Sequence, residues 1–387
     1  MPSSESPIPF VSFRRPILTL RGDQVHALVL DQGSSSQDSQ IESFQSQVFT
    51  RFNDLSVANG KEFLSVSWVR KLLEAFASCV EDFRVIMCSK NALLSKQPQE
   101  RILGEYFDRT IKALDICNAT RDGLEKIRLW QRHLEIVVCA LNPPQQRAIS
   151  EGHLRRARKG LMDLALGMLD EKDGGSVFSH RNRSFKRRTK DHLHSPGGHS
   201  RSLSWSVSHS WSASKQLQLL ANTLVPPRAN EIAASNGLAT LVFTMSFVLM
   251  FVLWALVAAI PCQDRGIQIN IVVPRQCWSR PFHILQARIM DESKKRERRN
   301  SSGLLKEIYQ IEEGVNHLTD LVDSVQLPLS EEHKEELRGR ILELSSICEV
   351  FKTELEPLER NLREVFRKIV TCRIEGLEFL GKATQVH

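Results

Sequence analysis

The chain has 387 residues, room for two domains or for one domain with long unstructured insertions. An apolar fraction of 41% suffices for a sizeable core, while 19 glycines and only 2 tyrosines suit helices better than a sandwich, a barrel or a Gly-rich nucleotide fold. The net charge of +7 is basic in the middle and acidic at the end, with 17 Asp and Glu against 11 Lys and Arg from Leu304 onward, which is not the footprint of a folded domain that coats nucleic acid.

Residues 1–40 read as a flexible arm rich in Ser and Pro, with no secretory signal and no lipid-anchor motif. Residues 41–170 read as a helical bundle. Ile41, Phe44, Val48, Phe52 and Leu55 recur at spacings of three and four, and Trp68, Leu72, Phe76, Cys79, Phe83 and Ile86 do the same. A long pattern follows Gln97-Pro98 and stops at Asn142-Pro143-Pro144, where prolines remove donors and clash with a continuing helix. A fourth helix from Ser150 puts Leu154, Ala157, Leu161, Leu164 and Met168 on one face and Arg155, Arg156, Arg158 and Lys159 on the other.

Residues 171–230 read as a disordered, basic, Ser-rich linker, because low hydrophobicity cannot offset the entropy of ordering. Its basic cluster, Arg181, Arg183, Lys186, Arg187, Arg188 and Lys190, admits three readings: a solvated linker, a contact with anionic lipid, or a nuclear or nucleic-acid signal. The position just before an apolar run favours lipid.

That run occupies 231–262, with no charge between Ile232 and Gln263. Leu238–Ile260 would span about 35 Å as a helix, enough for a hydrocarbon core. Leu238, Phe243, Phe247, Leu249, Phe251, Leu253, Trp254 and Ile260 mark the expected membrane segment, and Pro261 ends it. The alternatives are a buried central helix or a hairpin dipping into one leaflet. A spanning helix and one bundle shared by both flanks exclude each other, since a single crossing separates the flanks.

Residues 263–303 read as a connecting segment and 304–387 as an acidic helical hairpin. Leu304, Ile308, Ile311 and Leu318 lie on one heptad seam, and after the turn at Pro328 the seam continues through Leu337, Ile341, Leu344, Phe351, Leu355 and Leu362. Ser330 can cap the second helix, and Pro357 should kink it without ending it. The seam closes within the chain or recruits a partner helix. The fold class is therefore all-α: an N-terminal amphipathic bundle, a disordered linker, one apolar helix and a C-terminal antiparallel hairpin.

Nothing in the sequence has the form of a catalytic or cofactor site, and no catalytic, cofactor-binding or metal residue is assigned. There is no G-x-G-x-x-G, P-loop, G-x-S-x-G or H-E-x-x-H. His133-Leu134-Glu135 mimics the H-x-E of zinc deaminases, but the required P-C-x-x-C is missing at Pro261-Cys262. The eight cysteines form no C-x-x-C and read as free thiols in a reducing compartment.

The strings Ser202-Leu203-Ser204-Trp205-Ser206-Val207-Ser208 and Trp211–Gln218, the run Phe247–Gly266, Arg21–His26 near the start and Glu354–Val365 near the end are distinctive. Together they resemble the BYPASS-related family of plants over nearly the whole chain. The resemblance implies a helical, non-enzymatic, membrane-associated protein, single-pass or peripheral and cytosol-facing, with a cytosolic pool. Its implied partners are an exocyst subunit and membrane lipids, in polarised secretion, cell-wall deposition or plant development. No nucleic acid, cofactor or small-molecule substrate is expected. The alternatives are a regulator of a mobile small-molecule developmental signal, and a soluble nuclear regulator using the basic run 181–190.

Overall fold

A computed structural model describes residues 28–89, 97–142, 148–169, 212–262, 269, 271–297, 303–324 and 327–384. Among these residues the secondary structure is helical and no strand occurs, so the all-α expectation holds.

Helix α1, Leu28–Ser56, buries Ile41, Phe44, Val48, Phe52 and Leu55. It begins inside the stretch expected to be an arm. At its far end the Asn59 side chain accepts the Lys61 and Glu62 amides, turning the chain back. Helix α2, Val66–Ser89, starts where the Ser65 hydroxyl accepts the Trp68 N–H at 3.1 Å. Helix α3, Gln99–Leu141, stops one residue before the two prolines, as their chemistry requires. Helix α4, Glu151–Leu169, runs back along α3.

The expected linker ends earlier than residue 230. Helix α5, Ala213–Asn222, is capped by Ser212 and buries Leu217 and Leu220 against α3 and the apolar helix, and a short helix α6 covers Ala229–Ala234. The rest of that linker lies outside the described residues.

The apolar run forms helix α7, Leu238–Ala259, after a left-handed Gly237. By length and composition it is long and apolar enough to cross a membrane, yet all of its apolar window is buried in protein. It packs against α1, α2, α3, α5, α6 and a further helix α8, Arg280–Glu297. Ringed by protein, it needs no polar face. Thr244 ties it to those surroundings: its hydroxyl accepts the Gln45 amide at 3.0 Å and donates within the helix to Thr240 O. Its last carbonyls, which a helix leaves without internal partners, accept the amides of Leu304 (3.0 Å, from Ala258) and Leu305 (3.1 Å, from Ala259).

Helix α8 lies within the expected connecting segment and is preceded by a 3₁₀ turn at Cys277–Ser279. Phe282, Leu285 and Ile289 are buried, and the Phe282 ring lies 4.4 Å from Phe52, 5.2 Å from Phe247 and 4.9 Å from Phe251. This aromatic cluster joins α1, α7 and α8.

Helices α9, Lys306–Ser324, and α10, Glu331–Thr384, make the antiparallel hairpin, with Gly314 against Leu344. Ser330 caps α10 by accepting the His333 N–H, and the helix continues through Pro357. Most of α10 extends past α9 and inserts between α2 and α3. It runs parallel to α2, with Arg70–Glu354 at 2.6 Å and Arg84–Glu375 at 2.9 Å, and antiparallel to α3, with Arg128 on Glu359 and Lys352 near Glu135. The segments expected as a separate bundle and hairpin therefore share one continuous core.

Candidate functional surface

Two of the three residue sets singled out in the sequence face inward. The eight residues Leu238, Phe243, Phe247, Leu249, Phe251, Leu253, Trp254 and Ile260 are buried in the bundle. So are the ten seam residues, Leu304, Ile308, Ile311, Leu318, Leu337, Ile341, Leu344, Phe351, Leu355 and Leu362, so the seam closes within the chain. The third set, Arg181, Arg183, Lys186, Arg187, Arg188 and Lys190, lies outside the described residues.

A depression of about 380 Å³ opens between α1 and α2, lined by Arg51, Asp54, Glu62, Trp68, Lys71 and Glu74 among others. Its charges neutralise one another: Arg51 pairs with Asp82 at 2.6 Å and Lys71 with Glu62. The nearby Cys79 thiol is pushed up to about 11 by burial, against the pull of Arg51, so it stays protonated at neutral pH and is a poor nucleophile. Among the described residues no group of three or more His, Cys, Asp or Glu side chains is placed to hold a metal.

Two buried charges serve the architecture. The Glu307 carboxylate accepts the Val66 N–H at 3.2 Å and so caps the start of α2. Its pKa is raised, chiefly by desolvation. Arg296 donates to Leu305 O at 2.9 Å, and its pKa is lowered by the same desolvation. These contacts gather α2, α8 and α9 around the C-terminal end of α7.

The outer face of α4 is different in kind. Leu154, Ala157, Leu161, Leu164 and Met168 hold the helix to the core. Gly160 lets it approach α3 closely, because a Cβ there would meet Val137 Cγ2 at 2.8 Å. Arg158 fastens it to α9 by donating to Asp323 Oδ1 at 3.0 Å and Val322 O at 2.7 Å. The remaining cations, Arg155, Arg156 and Lys159, are exposed and form no ion pair among the described residues. Met162 and Leu166 continue the same face, 64% and 42% exposed. The basic residues are legible from the periodicity. The two apolar ones do not stand out in it, although both fall off the core stripe, which is the signal that could have found them.

The chain matches the family model described as Protein ROH1-like over residues 6–380. Protein ROH1D of Arabidopsis thaliana is 50% identical over 384 residues, covering 96% of this chain and 97% of that protein. Protein ROH1A of the same plant is 34% identical over 394 residues, covering 92% and 94%. No solved structure matches. With its helical core and near-complete match to these relatives, the chain belongs to the ROH1-like family, the BYPASS-related group of plant proteins.

Proposed function

We propose that this protein is a non-catalytic helical interaction protein that works at a membrane surface, engaging an exocyst subunit in polarised secretion, cell-wall deposition or plant development. The partner class comes from the family resemblance. The observation that carries the mode of action is the complete burial of α7 and of the hairpin seam in one core. With its longest apolar features used internally, the folded body offers partners the charged outer faces of α3, α4 and α10. It attaches peripherally, as a folded body resting on a membrane, with α7 as its core rather than its anchor. The basic cluster Arg181–Lys190 supplies part of the attraction to anionic headgroups.

The test is binding of the purified full chain to each purified exocyst subunit in turn. Saturable binding to one subunit, weakened by charge reversal on the exposed face of α10 at Glu349, Glu356 and Arg360, supports the reading. Binding to none removes the exocyst as the partner.

A further inference from the structure

The geometry points to the outer face of α4 as a second, structured membrane-docking element, taking an anionic lipid bilayer. This inference rests on the peripheral-membrane reading above and locates it on a folded surface. Arg155, Lys159, Met162 and Leu166 follow spacings of four, three and four. On an α-helix they fall within about 60° of one another and extend over about 16 Å, with Arg156 flanking them. The first half of this stripe is cationic with no ion pair among the described residues, and the second half is exposed and apolar.

Charge complementarity selects the occupant. Three exposed cations with no ion pair among the described residues, next to a Met and a Leu, match an anionic headgroup layer above an acyl boundary, the arrangement of interfacial helices. The shape agrees: the face is the convex outer side of a helix anchored by its opposite side, suited to a flat surface, whereas a peptide would need a groove. Core packing, Gly160 against α3 and Arg158 against α9 hold α4 in place, so the face is presented without an ordering cost. The other highly basic stretch, Arg181–Lys190, begins twelve residues after Leu169, which puts both basic elements on one length of chain.

The experiment is flotation of the full chain with vesicles of phosphatidylcholine alone and of phosphatidylcholine with 30% phosphatidylserine. The unsubstituted chain should bind the anionic vesicles and release as salt rises. Each cation near an anionic surface contributes roughly fivefold, so the triple variant Arg155→Glu, Arg156→Glu, Lys159→Glu should bind at least tenfold more weakly. Met162→Ser with Leu166→Ser should weaken binding severalfold without changing its salt dependence. All five positions are exposed, so melting temperatures should match the parent's. A folded triple variant that binds within twofold of the parent overturns the inference. If a chain with Arg181–Lys190 neutralised then loses binding, the peripheral-membrane reading survives on that segment alone. If the unsubstituted chain ignores anionic vesicles, that reading fails together with the inference. A triple variant that keeps its lipid binding but loses an acidic protein partner also overturns it, in favour of a protein contact.

Discussion

Phe282→Ala is the substitution that most strongly separates a core role for α7 from a lipid-facing one. Phe282 is fully buried on α8 and touches four rings: Phe52, Phe247, Phe251 and Trp278. Truncating such a side chain costs about 3–5 kcal/mol, combining lost transfer free energy with the residual cavity. Domains of this kind are stable by about 5–15 kcal/mol, so the variant should remain folded with a lower urea midpoint. The coupling to α7 can be isolated. The Phe247 and Phe282 rings lie 5.2 Å apart, edge to face, and a double-mutant cycle between them should give about 0.5–1.5 kcal/mol. The assay is urea unfolding in detergent-free buffer, followed by far-ultraviolet circular dichroism. A loss below about 1 kcal/mol for Phe282→Ala, together with strict additivity with Phe247→Ala, would refute the packing of α7 against α8, since a lipid-facing Phe247 would not sense the deletion.

Other predictions concern separate parts of the fold. Burial raises the Glu307 pKa, so on acidification the folded state takes up a proton before the unfolded chain does. Its contribution to stability should grow as pH falls from neutral toward the ordinary carboxylate range, and be lost as pH rises through the folded pKa. Glu307→Gln keeps an acceptor for Val66 N–H and should flatten that part of the pH profile, measured as midpoints between pH 5 and 7; an unchanged slope would count against the buried carboxylate. A Cβ on Gly123 would meet Pro261 O at 2.5 Å, so Gly123→Ala should cost about 1–3 kcal/mol, whereas Gly339→Ala, exposed in α10 with nothing nearby, should gain about 0.5–1 kcal/mol. Equal effects at the two glycines would deny the close approach of α3 to the end of α7. The Arg70–Glu354 pair is part exposed, with side chains 30% and 29% accessible, so Arg70→Ala should change stability by no more than about 1 kcal/mol; a larger loss would mean that the pair does more than fix the register of α2 and α10.

Periodicity alone makes the helices with wide apolar faces legible. The stripes of α1 and α2, the stop at Asn142 before two prolines, the cap at Ser330 and the heptads from Leu304 onward each follow from local chemistry. What covers an apolar face is not local. The heptad seam of α10 has the pattern of half a hairpin, yet α2 and α3 cover most of it, through contacts more than two hundred residues apart in sequence. Helix α7 has the pattern of a membrane span because a helix surrounded by protein and one surrounded by lipid both lack a polar face. Helix α8 escapes a reading by period because it buries only a narrow stripe, Phe282, Leu285 and Ile289, amid charged residues that mask the repeat. At the candidate surface, Met162 and Leu166 acquire meaning only once the core-facing side of α4 is fixed.

The most direct test of whether Leu238–Ala259 is the core of the folded body is the behaviour of the full chain under alkaline carbonate and without detergent. A core helix predicts release from membranes by carbonate, followed by a folded, monodisperse protein in plain buffer. Retention in the carbonate-washed pellet, with detergent required to keep the chain in solution, would show that the helix lives in the bilayer and would contradict a fold built around it.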